Sequence, residues 1–136
     1  MTRRRLWIAC IVGCGLGAFV AGAEAMQVAI QQHQDKARAE QMTGGDASRA
    51  AAAMDRLGCG SCHDIPGIPG ATGRVGPPLA HMASRDYIAG IMPNTAGNLI
   101  LWIRWPQGVL PNSAMPNMGA SERQARDIAA YLLSLR

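Results

Sequence analysis

The chain has 136 residues, room for one modest domain with extensions. Its net charge of +4 is concentrated at the start: Arg3, Arg4 and Arg5 are three of thirteen basic side chains, and beyond residue 23 ten basic residues face nine acidic ones. That balance excludes a basic footprint for nucleic acid, and an aromatic content of 4% leaves Tyr87, Trp102, Trp105 and Tyr131 as the only rings beyond residue 23, few for a core that stabilises itself.

Residues 6–23, LWIACIVGCGLGAFVAGA, carry no charge and follow MTRRR. This length lies between a signal-peptide core and a spanning helix, since a bilayer takes about 20 residues, and the arginines would stay cytoplasmic. The run is expected to be a retained signal anchor in the inner membrane. The alternatives are a signal peptide cleaved near Ala21-Gly22-Ala23 and a lipoprotein box, Ile11-Val12-Gly13-Cys14, with Cys14 acylated. All three place the rest of the chain in the periplasm. Residues 24–45 are rich in Gln, Ala and alternating charges, which predicts a solvated helical stalk ending at Gly44-Gly45, with His33 exposed on it.

Residues 46–136 form the remaining domain. A helix is predicted from Asp46, as N-cap, to Leu57, with Ala50, Ala53, Met54 and Leu57 on one side. Next comes CGSCH, Cys59 to His63. Two thiols three residues apart share one side of a helical turn, so both reach the vinyl groups on one edge of a haem, and the next residue can turn its imidazole onto the iron. CxxCH is the covalent haem c attachment pattern. A redox CxxC would sit near a βαβ pattern, and a zinc site would need a second ligand pair that His33 and His81 do not supply at a recognised spacing. One covalently bound haem c is therefore expected, with Cys59 and Cys62 as attachment points and His63 as iron ligand. Its bulk would make up for the missing aromatics.

A second ligand is sought in SAMPNMG, Ser113 to Gly119, where Pro111, Pro116 and Gly119 would hold the sulfur of Met115 in place. Methionine is usually core filler, and a loop between turn formers has little core to fill. Ser121 and Gln124 then spell a capping box, and Ala125, Ile128, Ala129, Leu132 and Leu135 recur at helical spacing through to Arg136. The order helix, CxxCH, loop, methionine, helix resembles that of a class I cytochrome c, an all-α fold wrapped around its haem, here preceded by an N-terminal membrane helix.

The run from Gly76 to Gly119 resembles, more specifically, the cytochrome c domain fused to subunit II of some bacterial haem-copper oxidases. The likeness is carried by Gly76, Pro77, Leu79, His81, Ser84, Arg85, Ile88, Ala89, Gly90, Asn94, Thr95, Asn98, Leu99, Trp102, Ile103, Pro106, Gln107, Pro111, Met115 and Pro116. It implies His63 and Met115 as the metal ligands, a Pro77 carbonyl that accepts a hydrogen bond from His63, and Met92 as a core contact. His81 reads as structural, with bis-histidine ligation as the rival. Arg85 and Trp102, and less so Arg104, could meet the haem propionates, or Trp102 could simply be core and Arg104 exposed. The chain departs from the family in having Leu110 before Pro111 where lysine is common, and its one lysine is Lys36. Docking through apolar Val109, Leu110, Met115 and Met118 is therefore expected, and no second Cys/His cluster offers a copper site.

The resemblance implies a respiratory electron carrier rather than an enzyme, exchanging electrons with a terminal oxidase and a quinol-oxidising complex. A subunit of a periplasmic dehydrogenase is an alternative. Of another class are a haem peroxidase or gas sensor with a dissociable Met115, and a scaffold whose haem only stabilises the fold.

Overall fold

The computed structural model describes residues 2–136, with side chains from residue 20 onward. The side chains of the apolar run up to residue 19, and with them the anchor, signal-peptide and Cys14 readings, lie outside the described residues. Among the described residues no helix is long and apolar enough to cross a membrane. Helix α1 runs Thr2–Thr43, and contacts divide the chain into residues 1–34 and residues 35–136.

In the first unit the described side chains, 20–34, are all exposed, including Val20, Met26, Val28, Ile30 and His33. The last turns of α1 pack within the second unit. Asp35, Ala39 and Thr43, four residues apart on one face, are buried. Asp35 pairs with Arg136 at 2.7 Å, small Ala39 joins the core, and the Thr43 hydroxyl donates to the Ala39 carbonyl at 2.8 Å.

The helix predicted over 46–57 forms as a 3-10 turn, Ala47–Arg49, followed by α2, Ala50–Arg56. Asp46 caps the turn by accepting from the Ser48 amide at 2.9 Å. A one-turn helix α3, Cys59–Cys62, follows, then a second 3-10 turn, Met82–Ser84. A short antiparallel pair, β1 (Tyr87–Ile88) and β2 (Met92–Pro93), is joined by a turn in which Ala89 takes φ 52° and Gly90 φ 71°. Helices α4 (Ala96–Arg104), α5 (Pro106–Val109) and α6 (Glu122–Leu133) complete the domain. Thr95 caps α4, and Ser121 with Gln124 forms the expected box on α6.

Helix α6 is the platform on which α2 and α4 pack. Ala125, Ile128, Ala129 and Leu132 on α6, Ala50, Ala53 and Met54 on α2, and Leu99 and Ile103 on α4 form one buried cluster. The small residues allow a close approach, and the connection ahead of the 3-10 turn also presses on α6: a Cβ at Gly45 would lie 2.2 Å from the Arg126 carbonyl oxygen. Beside that contact α6 buries a charge. Asp127, 3% exposed, accepts from Arg49 Nε at 2.9 Å and Nη2 at 2.8 Å, and from the Asp46 amide at 2.7 Å. The Arg49 bond holds the carboxyl below its ordinary value of 3.8 against the opposing effect of burial. Arg126 adds a bond to the Thr43 carbonyl at 2.8 Å, closing the end of α1.

Because the folded-state pKa of Asp127 is depressed, its contribution to stability is full above the unfolded value and lost as pH falls through the folded one. Asp127→Asn is expected to destabilise by about 1–3 kcal/mol at pH 7. The deficit should shrink as pH drops below 3.8, a trend that urea denaturation at pH 7 and pH 3 would reveal.

Candidate functional site

The CGSCH turn is built by backbone bonds. Gly58, at φ 68°, ends α2 and starts α3 in a left-handed conformation that costs glycine little. Within α3 the His63 amide donates to the Cys59 carbonyl at 3.0 Å, and Ser61 Oγ donates to the Gly58 carbonyl at 2.6 Å. A one-turn helix leaves most of its carbonyls without internal partners. The following loop supplies them: the Gly73 amide donates to the Gly60 carbonyl at 3.1 Å, and the Gly76 amide to the Cys62 carbonyl at 2.8 Å. This wrapping is so close that a Cβ at Gly73 would lie 2.5 Å from the Cys62 carbonyl carbon.

The loop's outer end is anchored to α6. Tyr131 donates its hydroxyl to the Pro66 carbonyl at 2.5 Å, and a Cβ on neighbouring Gly67 would lie 2.5 Å from that hydroxyl. Burial pushes the Tyr131 phenol above its ordinary range. Further along, the Leu79 amide returns to the Asp64 carbonyl at 2.8 Å, so residues 64–79 close on themselves behind α3.

His63 sits in the resulting cradle, half-buried. Its ring lies over Gly76, where a Cβ would come within 2.3 Å of Cε1. Nδ1 is 2.8 Å from the Pro77 carbonyl. A carbonyl only accepts, so Nδ1 carries the proton and Nε2 keeps its lone pair for a metal. Cys59 and Cys62, on the same turn, are free thiols and half-buried. Burial, reinforced by Cys62, pushes the Cys59 thiol above its ordinary range. Two unpaired thiols and an imidazole with one free nitrogen, on a turn with glycine beneath it, fit the donor set of a covalently attached haem.

Met115 occupies a separate loop, between α5 and α6. Its amide donates to Ser113 Oγ at 3.1 Å, and the loop is tied by Ser113 to the Leu110 carbonyl at 2.9 Å and by Gln107 to Asn117 Oδ1 at 3.3 Å. Met115 and Met118 are half-buried, whereas Met92 packs against the core cluster. Trp102 also packs against that cluster, and Arg104 is exposed, 3.7 Å from Glu122. His81 is exposed, with its backbone left-handed at φ 56°. Arg85 directs Nη2 to the carbonyls of Pro78 and Ala80, beside the Pro77 carbonyl on His63. The structure thus brings Cys59, Cys62, His63, Pro77 and Arg85 together around one turn and its covering loop.

Sequence reasoning did not give a role to Tyr131 or Asn94. Tyr131 fixes the covering loop, and Asn94 Nδ2 bonds the carbonyls of Met82 at 2.7 Å and Arg85 at 2.9 Å. A tyrosine within the apolar spacing of the last helix was the available signal for the first.

The cradle makes a specific demand on Gly76. Gly76→Ala is expected to cost more than about 2 kcal/mol, because the new methyl must displace the imidazole or the backbone. Gly70→Ala, at φ 75° with nothing within 4 Å, should cost only the left-handed penalty of about 1–2 kcal/mol. Chemical denaturation of the two variants would rank them.

The cytochrome c family model matches residues 47–136. Cytochrome c oxidase subunit 2 of Bacillus sp. (strain PS3) is 33% identical over 82 residues, covering 57% of this chain and 23% of that protein, so the chain spans about a quarter of its relative's length. No solved structure matches the chain. With the match extending over the CGSCH turn, its covering loop, the methionine loop and α6, the chain belongs to the cytochrome c family, whose haem is bound covalently through a cysteine pair, here Cys59 and Cys62.

Proposed function

We propose that the chain is a membrane-anchored monohaem cytochrome with its haem domain in the periplasm, passing single electrons as a subunit of, or donor to, a haem-copper oxidase. The observation that carries this reading is the Nδ1 contact of His63 with the Pro77 carbonyl at 2.8 Å, which leaves Nε2 as the metal-binding nitrogen beside two free thiols. A cytochrome c domain is an electron carrier. The bound haem supplies a one-electron iron couple.

The residues of this chain hold and tune that group. Cys59 and Cys62 would attach it, and His63 Nε2 and Met115 Sδ would hold its iron. A thioether ligand paired with an imidazole would raise the reduction potential and would leave the iron no position for a substrate. The Trp102 indole and the Arg85 guanidinium would be the donors for its propionates. The similarity to an oxidase subunit 2 supports an oxidase as acceptor, with a quinol-oxidising complex as source. The apolar run 6–23 behind Arg3, Arg4 and Arg5 supports a retained anchor.

Absorption spectra of the purified holo-protein test the ligation. The oxidised form is expected to show the sulfur-to-iron band at the red edge of the visible spectrum, lost in Met115→Ala, and the reduced form to ignore carbon monoxide. Ready carbon monoxide binding by the unaltered protein would overturn Met115 as ligand. For the partner, membranes from cells carrying Cys59→Ala/Cys62→Ala are expected to lose quinol-driven oxygen consumption. Unchanged respiration, with the wild-type haem reduced instead by a dehydrogenase substrate, would move the protein to a dehydrogenase.

A further inference from the structure

Behind the Pro77 carbonyl lies a second set of bonds that haem attachment does not use. Pro77 and Pro78 have no backbone N–H, so this stretch cannot join a hydrogen-bonded ladder through its own donors. Its carbonyls are held from outside. Arg85, half-buried, donates from Nη2 to the carbonyls of Pro78 and, at 3.0 Å, of Ala80. Arg85 is held in turn by Asn94, whose Nδ2 donates to the carbonyls of Met82 at 2.7 Å and Arg85 at 2.9 Å. The Asn94 amide adds a bond to the Asp86 carbonyl at 2.8 Å.

The Asn94 side chain carries a cost. Its Oδ1 is buried with no hydrogen-bond partner among the described residues. Turning the amide over would set that oxygen against two carbonyls, so the two donors dictate the orientation and leave the oxygen unsatisfied. An apolar side chain would avoid the cost and lose both bonds.

The geometry points to Arg85 and Asn94 as positioning residues that brace the Pro77–Ala80 loop, keep the Pro77 carbonyl on His63 Nδ1, and so set the basicity of the axial imidazole and the reduction potential of the haem. This deepens the reading of His63 as iron ligand and rests on it. A carbonyl accepting from Nδ1 makes the ring a stronger electron donor, which favours ferric iron. Loosening the brace therefore raises the potential. Direct loss of the Arg85 charge acts the other way, because removing a positive charge near the iron favours the ferric state. Asn94 is neutral, so its replacement reads the brace without that contribution.

The test uses the full holo-protein, Asn94→Ala and Arg85→Lys, with proton NMR of the reduced form and a potentiometric titration. In the wild type, strong ring-current shifts of the His63 protons are expected. Their absence would show that His63 is not on the iron and would overturn the brace with it. Given those shifts, exchange of the His63 Nδ1 proton with solvent should quicken about tenfold in Asn94→Ala. The ferrous-to-ferric ratio at a fixed poise should rise by up to about tenfold, ~59 mV for a one-electron couple. Arg85→Lys keeps the charge but not the two-carbonyl reach, so it should shift both quantities in the same direction. If His63 keeps its ring-current shifts while the exchange rate and potential stay at wild-type values in either variant, the brace is overturned.

Discussion

The hydrogen bond from His63 to the Pro77 carbonyl is the contact on which the rest of the site depends. It assigns the proton to Nδ1, frees Nε2, and fixes the plane of the ring over Gly76. None of this would hold if the loop from Asp64 to Leu79 were free to drift, and much of the domain is arranged to prevent that. Gly73 and Gly76 tie the loop to α3 through backbone amides, and Tyr131 ties it to α6. A short helix that could not persist alone is thus held by the segment it helps to order.

Helix α6 integrates the domain in a different way. One face receives α2 and α4 through small and branched side chains, and its flank carries Asp127 into the junction with the 3-10 turn. A buried carboxylate is an expensive means of attachment, and a hydrophobic pair of similar volume is often as stable. Its advantage is geometric. Bidentate acceptance from Arg49, with a third bond from the Asp46 amide, defines the angle and register of the junction, which alanine contacts alone would leave loose.

How much of this was legible in the sequence follows from the range of each interaction. CGSCH and the Ser121–Gln124 box are local patterns, complete within a turn, and could be read directly. The core faces of α2 and α6 were readable from periodicity. The packing at the end of the stalk was not: Asp35 and Thr43 look like surface residues until Arg136 and Arg126 come round to meet them. The same limit applies to Arg85. Its chemistry suggests a carboxylate partner, and no spacing rule reveals that a loop poor in N–H groups would present it with bare carbonyls. Asn94 was visible as a matching residue, but its role depends on two carbonyls supplied by a turn nine and more residues earlier.

The separations along the chain also order events in time. His63 and Pro77 are 14 residues apart, whereas Arg49 and Asp127 are 78 apart. Closing the longer loop costs about 1.5 kcal/mol more in chain entropy, and contacts of such range slow the search for the native state. The cradle around His63 is therefore the cheaper structure to form, able to assemble on the emerging chain before α6 exists to seal it. A chain built this way can present its thiols to a bulky partner while the domain is still open, and close the Arg49–Asp127 junction afterwards.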